Sequence, residues 1–122
     1  MRTYKTKIFA HWARRQGLGD DALLDAVEEM EGGKIDANLG GKVYRKRIAL
    51  RGRGKSGGVR TLIAFKDGDK AFFMFGFAKN ERTNISGNEL KALKTMAKTL
   101  FDKSTRKLKT DIDKKVLIEM KR

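Results

Sequence analysis

The hydrophobic period of the chain changes twice, and those changes restrict what it can fold into. Up to Glu31 apolar residues recur at helical spacing. Ile8, Phe9, Trp12 and Ala13 form one stripe in "KIFAHWARRQG", and Leu23, Leu24, Val27 and Met30 form another in "DDALLDAVEEME". Gly17 is a stop between the two helices, and the early Asp20 and Asp21 suit the positive end of a helix dipole. From Lys42 the period falls toward two. "KVYRKRIAL", "GVRTLIAF" and "KAFFMFGFA" follow one another with short connections, the last two joined through the hairpin signal Asp67-Gly68. Three such strands predict an antiparallel meander, and the aromatic run fits a central strand buried on both faces. Helical spacing returns at Ser86. This serine is the expected N-cap, Glu89 completes a capping box, and Ile85 and Leu90 occupy the hydrophobic-staple positions. Leu90, Leu93, Ala97 and Leu100 mark the buried stripe, and a short helix near 105–111 and a strand in "VLIEM" are expected beyond it. The order of elements predicts an α+β fold, with two N-terminal helices packed on a small, mainly antiparallel sheet and a C-terminal helix.

With 122 residues the chain is expected to form a single domain, 1–122. Its 29 lysines and arginines against 15 acids give a formal charge of +14, which attracts polyanions, nucleic acid first among them. The charge is unevenly spread. Asp20 to Glu31 carries six acids and no base, whereas Lys42 to Lys66 carries nine bases and no acid. There is no cysteine, which removes disulfides and thiolate metal sites. The N-terminal segment turns polar too early for a signal peptide and no apolar run reaches membrane-spanning length, so a cytoplasmic protein without a membrane partner is expected.

"RGRGKSGGVRTL", residues 51–62, is the densest basic stretch, with four glycines and four cations in twelve positions. It contains Gly-Lys-Ser, but the glycine that a phosphate-binding loop needs five places before Gly54 is Ala49, and a strand follows instead of a helix. A loop wall that lets Arg51, Arg53 and Lys55 approach a phosphate backbone is the reading that survives. On the strand that follows, Val59, Thr61, Ile63 and Phe65 alternate with Arg60, Leu62, Ala64 and Lys66, which fixes Arg60 beside that wall. The single histidine, His11, lies on the first helix with a packing or surface role, and the carboxylates show no metal-ligand spacing.

The order of these elements, together with "GGVRTLIAF", "FAKNER" and "NISGNELKALK", resembles the RelE superfamily of toxins in type II toxin–antitoxin systems, in its HigB-like branch. The resemblance covers roughly 3–102, with 103–122 as a C-terminal extension. It implies a metal-independent endoribonuclease that needs no cofactor, cuts messenger RNA at the ribosome and inhibits translation. It also implies a cognate, HigA-like, DNA-binding antitoxin. Carried over position by position, Arg60 is the strand arginine beside the scissile phosphate, with Lys79 and Arg53 as further catalytic groups. Arg51, Lys55, Arg82, Arg45 and Arg47 are expected to bind nucleic acid. Surrounding cations are expected to fit Lys79 for acid or base work, and Glu81 is expected to pair with Arg82 or Arg60. The chain departs from the archetype at Asn80, where the family has arginine, and in lacking a tyrosine beyond Arg82. Two other outcomes stay open: a ParE-like toxin that inhibits gyrase, and a basic RNA-binding module that cuts nothing.

Overall fold

The computed structural model describes residues 1–50 and 54–122, without the side chains of 54–57. The elements run β1 (Arg2–Thr6), α1 (Lys7–Gln16), α2 (Asp20–Glu31), β2 (Ala37–Asn38), β3 (Val43–Leu50), β4 (Gly54–Lys66), β5 (Lys70–Ala78), α3 (Gly87–Asp102), α4 (Thr105–Asp113) and β6 (Leu117–Met120). They form an α+β fold around one six-stranded sheet of order β2-β3-β4-β5-β1-β6. Both helices expected at the N-terminus are present, as are the meander β3–β4–β5, the capped helix and the last strand.

Helix α1 starts because the Thr6 hydroxyl accepts from the Phe9 amide, and it stops because Gly17 takes a φ of 71°. Its buried stripe is Phe9, Ala10 and Ala13; Ile8, expected in that stripe, is 75% exposed. β1 precedes it and was not expected, since "RTYKT" is short and polar. It pairs parallel with β5, from Arg2↔Lys70 to Lys5↔Phe73, and antiparallel with β6. The glycine-rich stretch is not wholly a loop. From Gly54 onward it belongs to β4, with Leu50↔Gly54 the first pair after an irregularity between Ile48 and Leu50. Arg51 and Arg53 lie outside the described residues.

β5 is buried on both sides, as its sequence implies. One cluster, with α1 and α2, holds Phe9, Leu23, Val27, Val59, Ile63 and Phe73. The other, with α3 and α4, holds Tyr4, Leu62, Phe72, Leu93, Leu100 and Leu108. A one-residue irregularity between Leu62↔Phe75 and Ile63↔Phe73 places Met74 and Phe75 on the same side. Gly76 then faces α1, where a Cβ would come within 2.3 Å of the Trp12 ring. The reciprocal capping box of Ser86 and Glu89 is formed, and Ile85 and Leu90 each pack against the second cluster.

Candidate nucleic-acid site

Alternation along β3 and β4 sends Arg45, Arg47 and Arg60 to the α3 side of the sheet, at the end that the helix leaves uncovered. Arg47 and Arg60 are direct cross-strand partners, and Arg45 is opposite Leu62. Placing two cations face to face on a sheet is unfavourable unless something compensates them. With Asp36, Thr83 and Asn84 they line a cleft of about 540 Å³. Asp36 is the one carboxylate among the described residues that line it. Its Oδ1 lies 3.5 Å from Arg47 Nε, and its Oδ2 accepts from the Arg47 backbone amide. Arg45 Nη1 donates to Asn84 Oδ1 at 3.3 Å.

Arg60 differs from its neighbours. It is half-buried, and its Nη1 is buried without a hydrogen-bond partner among the described residues. Burial lowers its pKa from the ordinary arginine value, and the nearby Arg47 pushes in the same direction. A guanidinium remains charged under such a shift, so the cleft is lined by a cation that, among the described residues, keeps one donor unused beside others of like charge. An anion with several acceptor oxygens would relieve both features, and a phosphodiester is such an anion.

The other expected site residues are less closely gathered. Arg82 does not pair with Glu81. Its Nη1 donates to Glu89 Oε2 at 3.0 Å, its Nη2 also bonds Glu89, and its Nε donates to the Asn84 carbonyl at 2.9 Å. It thereby fixes the turn that carries Thr83 and Asn84 into the cleft, with its guanidinium 5.5 Å from the Phe77 ring centroid. Lys79 and Glu81 are exposed in the turn after β5 and do not line the cleft. Lys55 lies on β4, and its side chain is among those not described. His11 is on the opposite side of the sheet, on α1. Sequence reasoning missed Asp36, Thr83 and Asn84, because two neutral residues and a lone acid in a loop carry no local signal. Only the strand register brings them to the arginines. Among the described residues no group of histidines and carboxylates could hold a metal ion, and no helix is long and apolar enough to cross a membrane.

The Arg82 contact has a measurable signature. Its hydrogen bonds, and then the Ser86 backbone amide, push the Glu89 carboxyl from 4.5 down to about 2. Between those two values Glu89 stays ionised in the folded chain while the unfolded chain takes up a proton, so acid favours unfolding. Glu89→Gln is therefore expected to flatten the fall in urea midpoint between pH 4.5 and 2. An equally steep fall in the variant would place the acid sensitivity elsewhere.

The described residues form an α+β fold with a cleft lined by three arginines, one of them with a donor unpartnered among the described residues, an arrangement whose charge and donors suit a phosphate-bearing ligand. A family model described as the RelE toxin of the RelE/RelB toxin–antitoxin system matches residues 1–120, and the chain belongs to that family. Its members are toxins of type II toxin–antitoxin systems, generally ribonucleases that inhibit translation, and each implies a cognate antitoxin. No curated protein matches the chain.

Proposed function

We propose that this toxin is an endoribonuclease of the HigB-like branch that cuts messenger RNA on the ribosome, with the Arg45–Arg47–Arg60 cleft holding the scissile phosphate. The gathering of Arg45, Arg47 and Arg60 in one cleft, with a donor of Arg60 unpartnered among the described residues, is the observation that carries the reading. Attack of a 2′-hydroxyl on the adjacent phosphate builds charge on the nonbridging oxygens, and a planar guanidinium already aimed at them stabilises that charge without reorganising. Arg45 and Arg47 hold the flanking backbone, and Asp36 holds Arg47 in place. Arg53 and Lys79 are assigned as further catalytic groups, and Arg51 and Lys55 as further phosphate contacts. Arg82 serves by positioning the 83–84 turn. The antitoxin, HigA-like and DNA-binding, completes the system.

A second reading is favoured by the cleft's own chemistry. Guanidiniums bind phosphate well and transfer protons poorly, so the described lining by itself fits an RNA-binding module. One experiment separates the two. Purified protein is added to programmed ribosomes and to naked RNA, and 5′ ends are mapped by primer extension. New ends support the nuclease. Intact RNA in a complex whose affinity falls on adding salt supports the binder. Intact RNA with blocked gyrase supercoiling would overturn both.

A further inference from the structure

Two adjacent rows run along the outer side of α1. Lys7, His11 and Arg15 recur every fourth residue and make a polar row, and Ile8 and Trp12, one place further on, make an apolar one. Both rows line a hollow of about 340 Å³, which Gly76 of β5 lines as well. The indole of Trp12 is held from two directions. A Cβ on Gly76 would come within 2.3 Å of its ring, and its centroid lies 5.4 Å from that of Phe9. The ring nonetheless stays partly exposed, beside an Ile8 that is 75% exposed. A fixed, half-open aromatic surface of this kind is a stacking platform.

Charge around the hollow has one sign. Lys7 and Arg15 form no ion pair among the described residues, and none of the described residues that line the hollow is a carboxylate. Arg15 stands in the last turn of α1, where a cation suits the helix dipole, but Lys7 opens the first turn, where a cation opposes it. Helix stability therefore does not account for a cation at both ends of the row. Eight residues of helix separate the two, a rise of about 12 Å. One phosphate group cannot span that distance, whereas successive phosphates of one polynucleotide backbone can.

We propose that the Trp12 hollow is a second nucleic-acid subsite, which takes one unpaired base of a single strand by stacking on the indole while the flanking phosphates meet Lys7 and Arg15. His11, between the two cations in the same row, offers a ring nitrogen to the sugar. Every base has a face to stack, so the subsite selects an unpaired strand and not a sequence. It lies on the opposite side of the sheet from Arg60, and it holds a strand whether or not the arginine cleft cuts one.

Trp12, the sole tryptophan, reports the subsite directly. The probe is a 2′-O-methyl octamer of adenylate, which has no free 2′-hydroxyl to cut itself, titrated into the full chain while Trp12 emission is followed. Saturable quenching is expected. It should weaken about tenfold or more in Ile8→Asp, whose exposed position keeps the fold intact, and persist in Arg60→Met. An abasic octamer of the same charge should leave the emission unchanged. Lys7→Ala combined with Arg15→Ala should reduce the salt slope of binding by about 1.4, the share of two phosphates on a single strand. Absence of quenching, equal quenching by the abasic octamer, no effect of Ile8→Asp or an unchanged salt slope would overturn the proposal. So would loss of quenching in Arg60→Met, which would tie the signal to the arginine cleft. Adenosine monophosphate binding as tightly as the octamer would make the hollow a mononucleotide site, and Ile8-dependent self-association in sedimentation would give it to a second copy; either result overturns the proposal as well.

Discussion

Arg60→Met is expected to give a protein that is more stable and catalytically disabled. The substitution removes a buried donor that has no partner among the described residues and relieves the face-to-face repulsion with Arg47, while the methionine stem keeps most of the packing. Stabilisation of about 1 kcal/mol is expected, seen as a rise of roughly 3 °C in the thermal midpoint of a domain this size. RNA cleavage should fall by ~10²–10³, the usual loss when a preorganised charge is taken from a transition state. Arg60→Lys should restore little, because an ammonium replaces the planar fork with a point charge. Circular-dichroism melts and primer extension on the same preparations test both halves. Loss of cleavage together with loss of stability would make Arg60 a structural residue and remove it from the chemistry.

Gly58→Ala should have the largest effect on the fold. A Cβ there would lie 2.2 Å from the Ile48 carbonyl oxygen, 3.0 Å from its carbon and 3.1 Å from the Ala49 Cα, all of them backbone atoms. No rotamer change can make room, so β3 must move, at a cost of about 3 kcal/mol. The next pairs along, Ile48↔Val59 and Arg47↔Arg60, would be displaced too. Cleavage should therefore drop with stability, in contrast to Arg60→Met. Gly87→Ala is the control: nothing lies within 4 Å of its Cβ, it has no positive φ, and it opens a helix. Urea denaturation should show it unchanged or slightly stabilised. A Gly58→Ala protein as stable as wild type would mean that β3 and β4 are less closely packed at this point than the structure has them.

What the sequence revealed and what it hid follow one physical division. Elements whose signal is local were legible: the Ser86–Glu89 box, the Gly17 stop, the Asp67-Gly68 turn and the alternation that fixes Arg60. Features that need distant partners were not. β1 is a strand because residues 70–73 and 117–120 lie on either side of it, and "RTYKT" says nothing of them. Ile8 obeyed helical periodicity yet lies outside, because the face that α1 buries runs through Phe9, Ala10 and Ala13. The pairing of Arg82 with Glu89 instead of Glu81 depends on how the turn folds back on α3. Of the cleft, the arginines were readable as charge and the register was not; the family match adds the toxin class, and the roles of individual residues stay with the experiments above.

The position of β1 between β5 and β6 also orders the folding of the chain in time. The meander closes through contacts among neighbours in sequence, so the strands bearing Arg45, Arg47 and Arg60 can pair early. β1 must wait, since one of its partners is more than sixty residues away and the other more than a hundred. On a translating ribosome the basic strands would emerge and pair well before the sheet that supports them is complete. A nascent toxin would thus present a cationic surface to ribosomal RNA before it has a finished core.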